Sequence, residues 1–207
     1  MDLDSLQALY IEELKDLYSA EKQLLKALPK MAKAASHEEL AANFTEHARV
    51  TERQVERLDR IFADLGTSPR GKKCVGMEGL IEEAQELLQD KPEPEVLDAG
   101  LISKAQHVEH YEIAGYGTVR TYAEQLGLTK HAELLQQTLN EEGEADKRLS
   151  ALAESSINLE AAVADGDESQ SDGGSRSSGG SRGRSSGGRS GSRGRSVRSR
   201  STSRASR

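Results

Sequence analysis

One cysteine, no tryptophan, two phenylalanines and four prolines are spread over 207 residues. Each scarcity removes a class of structure. With only Cys74 there is no intramolecular disulfide, and nothing points to an oxidising compartment. No stretch approaches the ~18 uninterrupted apolar residues of a membrane span. The start, Met1-Asp2-Leu3-Asp4, lacks the basic and apolar regions of a secretory leader. A soluble cytoplasmic protein without membrane contact is expected. Strand-like alternation is missing as well, so no sheet competes for the chain. Lysine and acid are missing from one segment only, residues 173–207, which hold ten Arg among Gly and Ser. With those ten set aside, residues 1–172 carry 18 basic residues against 35 acids, a formal charge of −17 behind the overall −7.

What is present is helical periodicity. The first helix is expected from Asp4 or Ser5 to Ala35, with Pro29 kinking or interrupting it. The second begins near Ser36, where Ser36-His37-Glu38-Glu39 fits a capping box, and ends at Gly66. A loop from Thr67 to Lys73 leads to a short helix from about Met77 to Gln89, and Lys91-Pro92-Glu93-Pro94 breaks the chain again. The third long helix spans Asp98 to Leu126, and the fourth runs from about Lys130 to Ala164. Two hairpins of long helices, separated by about thirty residues, suit an all-α ferritin-like four-helix bundle whose long crossover contains the short helix. Residues 1–164 form that bundle, and 165–207 are expected to be a disordered linker and basic tail, too poor in apolar side chains to fold alone.

The chemistry lies on the inward faces. At about 100° per residue, Ile102, Ala105, Glu109, Glu112, Ile113, Tyr116, Val119 and Ala123 share one stripe. Burying an ionised carboxylate without a partner costs several kcal/mol or more, so two of them on an apolar face require a cation, protons or exposure. The other long helices repeat the pattern. Glu21 sits among Tyr10, Leu14, Leu17, Leu24, Leu25, Leu28 and Ala32; His47, Thr51 and Gln54 sit among Leu40, Phe44, Val50, Leu58, Ile61 and Leu65. Glu142 and Asp146 sit among Leu135, Leu139, Leu149 and Ala153. Any one of these alone is more often a polar residue satisfied by a neighbour. Four helices together point to a shared site, because five carboxylates and a histidine in one bundle need positive charge. The candidate metal ligands are Glu21, His47, Glu109, Glu112, Glu142 and Asp146. A carboxylate-rich site with at most one imidazole suits iron or manganese, as one ion or a pair, and Cys74 lies away from it in the crossover. The alternative is that the inward acids are protonated or bonded to one another and hold no ion.

Several segments resemble a known family. Leu14-Lys15-Asp16-Leu17-Tyr18-Ser19-Ala20-Glu21-Lys22-Gln23-Leu24, Asp98-Ala99-Gly100-Leu101-Ile102, Gln106 to Ala114 with Tyr116-Gly117, and Leu139-Asn140-Glu141-Glu142 with Asp146 resemble the YciE/YciF family of ferritin-like stress proteins. The match runs from residue 3 to about 160. Glu109-His110-Tyr111-Glu112 with Tyr116 also looks like the Glu-x-x-Glu helix of rubrerythrins. The resemblance implies a homodimeric four-helix bundle with a rubrerythrin-like metal centre and an association with bacterial stress responses. It makes Glu21 the first-helix ligand, Glu109 and Glu112 the third-helix pair, and Glu142 the fourth-helix ligand. The second helix departs from the di-iron pattern, and the chain contains no Glu-x-x-His: Thr51-Glu52-Arg53-Gln54 stands where that motif is expected, with His47 one turn earlier. Glu52, about 140° from His47, is on the solvent side. Asp146 stands close to the place of a fourth-helix His. His107 falls opposite the ligand stripe and His110 at its edge, either a surface residue or one that touches a ligand from outside. Tyr116 is either a donor to a ligand carboxylate or an ordinary core tyrosine.

Two functions are expected. The first is a stress-associated iron or manganese protein that reduces peroxide or oxygen, the carboxylates stabilising the oxidised ion. The second is non-catalytic: a protein that sequesters metal, or coats nucleic acid through its tail. Ten arginines would neutralise several phosphates without sequence preference, and with no aromatic residue in the segment there is no stacking platform. The acidic domain competes for the same tail.

Overall fold

A computed structural model describes residues 3–168 of the chain, with side chains as far as residue 164. Every element among the described residues is helical. The order is α1 (Leu6–Ala34), α2 (Glu38–Asp64), α3 (Val75–Asp90), α4 (Pro94–Gln125) and α5 (Thr129–Leu152), then a π-helical stretch (Ala153–Ile157) and α6 (Asn158–Glu168). The expected all-α bundle is what the chain forms. The linker and tail expected from residue 165 lie outside the described residues, apart from a helical continuation to Glu168.

Helix ends follow local chemistry in most places. α1 starts where Ser5 Oγ accepts the N–H of Ala8 at 3.2 Å. Of the two outcomes expected at Pro29, interruption does not occur, and the helix continues to Ala34. Pro29 is exposed, so the carbonyl its missing N–H leaves free can turn to water. α4 begins four residues earlier than expected, because Pro94 opens it; a fixed φ and an absent N–H suit the first helical position. α2 ends at Asp64 and is closed off by Gly66, whose φ of +62° lets Thr67 N–H reach Phe62 O and Gly66 N–H reach Ala63 O, both at 3.1 Å.

The start of α2 is different. The capping box does not form, and His37 rather than Ser36 is the N-cap. Asp98 of α4 accepts instead from Ser36 N–H at 2.9 Å, His37 N–H at 2.8 Å and Ser36 Oγ at 2.5 Å. A buried carboxylate from another helix thus takes up the two N–H groups just ahead of the helix and complements its positive end.

In the bundle, α1 packs on α2 and α4, and α5 packs on α4 and α2, while α3 lies in the crossover against α4 and α1. The apolar stripes make two separate clusters. One contains Tyr10, Leu14, Leu58, Ile61, Phe62, Val119 and Leu135; the other contains Leu24, Leu28, Leu40, Phe44, Leu101, Ile102 and Leu149. In chain order, a belt of buried polar residues interrupts each long helix between its contributions to the two: Glu21, then His47, Thr51 and Gln54, then Glu109 and Glu112, then Glu142. Gly115 lets α1 approach α4 closely, since a Cβ there would stand 2.7 Å from Leu17 Cδ2. Among the described residues no helix is long and apolar enough to cross a membrane.

Candidate metal centre

Each long helix contributes to the belt through the spacing that builds its apolar stripe. One ligand atom from each of His47, Glu109, Glu112 and Glu142 lies within 4.8 Å of the others. His47 Nε2 is 3.3 Å from Glu109 Oε1 and 3.8 Å from Glu142 Oε2. These are close approaches without hydrogen-bond geometry, and both ring nitrogens of His47 are unpartnered. Both oxygens of Glu112, Oε2 of Glu109 and Oε2 of Glu142 are buried and unpartnered as well. Glu21 stands beside this group: Tyr116 donates its hydroxyl proton to Glu21 Oε1, and Oε2 is free. On the α2 side, Gln54 Nε2 donates to Glu142 Oε1.

The electrostatics follow from that crowding. Burial, then the charges of Glu21, Glu142 and Glu109, push the Glu112 carboxyl well above its ordinary range. Burial and then Glu109 do the same to Glu142, and burial and then Glu142 to Glu21. Glu109 is pushed up to about 8, chiefly by burial. His47 is pushed down to about 4 by burial and then by the Arg148 charge, so its imidazole is neutral near pH 7. Without a cation, this group of acids must hold protons. A divalent cation is the group these residues fit: acceptor atoms that burial has left without partners converge from three helices, and a neutral imidazole stands among them.

Five of the six candidate ligands are therefore buried in one belt. Asp146 is not with them. It is half-buried, accepts from Gln106 Nε2 at 3.0 Å and lies 3.4 Å from His110 Nε2. The reason is register: the inward stripe of α5 runs Leu135, Thr138, Glu142, Ala145 and Leu149, so the next inward residue after Glu142 is Ala145. His110 is exposed and touches Asp146, and His107 is exposed. Tyr116 is a donor to a carboxylate. Cys74 caps α3, its Sγ 2.9 Å from both Asp16 Oδ2 and Tyr111 OH, outside the cluster of four.

Arg57 was not among the candidates. It is buried on α2 and grips Glu141 with two bonds of 2.6 Å, and its Nη1 also donates to Thr138 Oγ1 at 3.0 Å. Its sequence signal is the three-residue step from Gln54, which keeps both on one face.

Comparison with known proteins places this chain in a family. A family model described as a domain of unknown function, DUF892, matches residues 5–162. Protein YciF of Escherichia coli strain K12 is 47% identical over 162 residues, 78% of this chain and 98% of that protein. The chain belongs to the YciF family. The crystal structure of the E. coli stress protein YciF matches with a TM-score of 0.73 at 47% identity, over 75% of this chain and 99% of that one. YcfI of Rhodopseudomonas palustris matches with a TM-score of 0.70 at 42% identity, over 72% and 95%. A protein of Xanthomonas campestris pv. campestris shares the fold, with a TM-score of 0.61 at 20% identity over 79% and 98%. The resemblance read over residues 3 to about 160 was thus to the right family, and the match covers nearly the whole of the YciF chain.

Proposed function

We propose that the chain binds iron or manganese in the belt between its long helices and uses it to reduce peroxide or oxygen during stress. The observation that carries this reading is the set of unpartnered buried acceptors: both oxygens of Glu112, one each of Glu21, Glu109 and Glu142, and both nitrogens of His47. Bound there, the ion would pass electrons one at a time to peroxide or oxygen by moving between two oxidation states, and an external one-electron reductant would have to return it to the lower state in each cycle. The chain's own residues orient the site. Tyr116 fixes one oxygen of Glu21 and Gln54 one oxygen of Glu142, leaving the other oxygen of each free. The Glu109 and Glu112 carboxyls, protonated without an ion, release their protons as one binds. The stress role is suggested by the description of E. coli YciF as a stress protein. A cytoplasmic homodimer is the form we assign to it.

The test is elemental analysis of the purified full-length protein beside a Glu109→Ala/Glu112→Ala variant, followed by peroxide and oxygen turnover. Iron or manganese in the first and none in the second is expected. No metal in either after reconstitution would overturn the metal reading; metal without turnover would overturn the enzymatic part.

A second reading is favoured by a separate observation, the ten Arg and absent acids of residues 173–207. In it the protein contacts nucleic acid through this segment, whether or not the belt is catalytic.

A further inference from the structure

Two-ion sites in bundles of this kind draw a Glu from each of two helices and a Glu-x-x-His pair from each of the other two. Here the second and fourth helices do not supply those pairs. On α2 the corresponding positions are Thr51 and Gln54, both buried. On α5 the residue three after Glu142 is Ala145, and Asp146 is held to one side by Gln106. What converges instead is one set of four donors, His47, Glu109, Glu112 and Glu142, with ligand atoms within 4.8 Å of one another. Ligands about 2.1 Å from a shared ion lie up to roughly 4.2 Å apart, so four donors this close need only tighten slightly around a single centre.

The flank of Glu142 that faces α2 is already occupied by a hydrogen-bond donor. Gln54 Nε2 donates to Glu142 Oε1 and, at 3.3 Å, to Glu141 Oε2. Glu141 is in turn clamped by both terminal nitrogens of buried Arg57. With Gln54 Nε2 turned onto the two glutamates, the free acceptors on that side are only the neutral Gln54 Oε1 and Thr51 Oγ1, with no carboxylate or imidazole to balance the charge of a second cation.

We infer that the centre takes one ion rather than two, and that Gln54, steadied by the Arg57–Glu141 pair, is the positioning residue that closes the second place. This rests on the metal reading above. The test titrates Mn²⁺ into the metal-free full-length protein and reads stoichiometry by calorimetry and coupling between ions by electron paramagnetic resonance. One magnetically isolated Mn²⁺ per chain is expected. In a Thr51→Glu/Gln54→His variant the count should double, with an exchange-coupled signal. Two coupled ions in the natural chain would overturn the inference while leaving the metal reading intact; none in the natural chain would overturn both. A folded double variant that stays at one ion would overturn the role given to Gln54. If that variant does not fold, Gln54→His alone is the second probe, with a second ion again expected and its absence again decisive against Gln54.

Discussion

His47 and Glu109 lie 3.3 Å apart, and burial pushes their affinities for protons in opposite directions. Glu109 rises to about 8 from an ordinary 4.5, and His47 falls to about 4 from 6.5. For His47, the unfolded chain binds the extra proton between those two values, so its contribution to stability grows with pH and is complete above about 6.5. For Glu109 the folded chain holds the extra proton, so stability is lost as pH rises toward 8, and Glu21, Glu112 and Glu142 act in the same direction. Above pH 6.5 only the carboxylates remain in play. The melting temperature of metal-free protein should therefore fall between pH 6.5 and 8, and bound Mn²⁺ should shrink or reverse that fall by replacing the protons. Calorimetric scans across this window check it; a metal-free melting temperature that climbs with pH would show that the belt does not hold its protons. At this scale, the inward carboxylates and His47 were legible from helical spacing alone. Asp146 was misplaced because α5 steps inward by three residues after Glu142, to Ala145, where four had been assumed. The Arg57–Glu141 clamp joins residues 84 positions apart, and no local pattern announces which acid a cation will meet.

The same limit appears in the helices. Their existence and order were legible because each carries a long apolar stripe, and Gly66 could be placed as a stop because a positive φ is a local demand. The cap of α2 was not, since Asp98 is 61 residues from His37 and a nearby Ser-x-x-Glu offered a local answer that the fold does not use. The two accounts predict different mutants. Asp98→Ala removes three hydrogen bonds and a favourable charge at the helix end, and should cost about 1–2 kcal/mol, lowering the melting temperature by roughly 2–8 °C. Glu39→Ala, the decisive change under a capping box, should cost less than about 0.5 kcal/mol, because Glu39 is exposed. Metal content should be unchanged in both, since neither residue touches the belt. Equal losses in the two variants would restore the capping box. Pro29 and Pro94 teach a related lesson: a proline marks a break only where its missing N–H is needed, and an exposed site or a first helical position does not need it.

For the whole molecule the charge division decides which surface can meet nucleic acid. Residues 1–172 carry a formal −17, and a polyanion gains nothing by approaching them. Attraction must come from residues 173–207, where ten Arg are uninterrupted by acid or lysine. Removing them should leave the thermal unfolding of the bundle and its metal content unchanged, because every ligand candidate precedes residue 147. It should abolish retention on DNA or RNA at low salt. In the full chain that retention should weaken steeply as salt rises, in proportion to the phosphates the arginines neutralise, and should not discriminate between sequences. Electrophoretic mobility shifts of the full chain and of residues 1–172, at two salt concentrations, measure both effects. Retention that survives the truncation would move the contact onto the bundle, against its net charge, and would require a local basic surface there. Retention absent even in the full chain would mean that the acidic bundle outcompetes phosphate for the tail, and the metal centre would then carry the function alone.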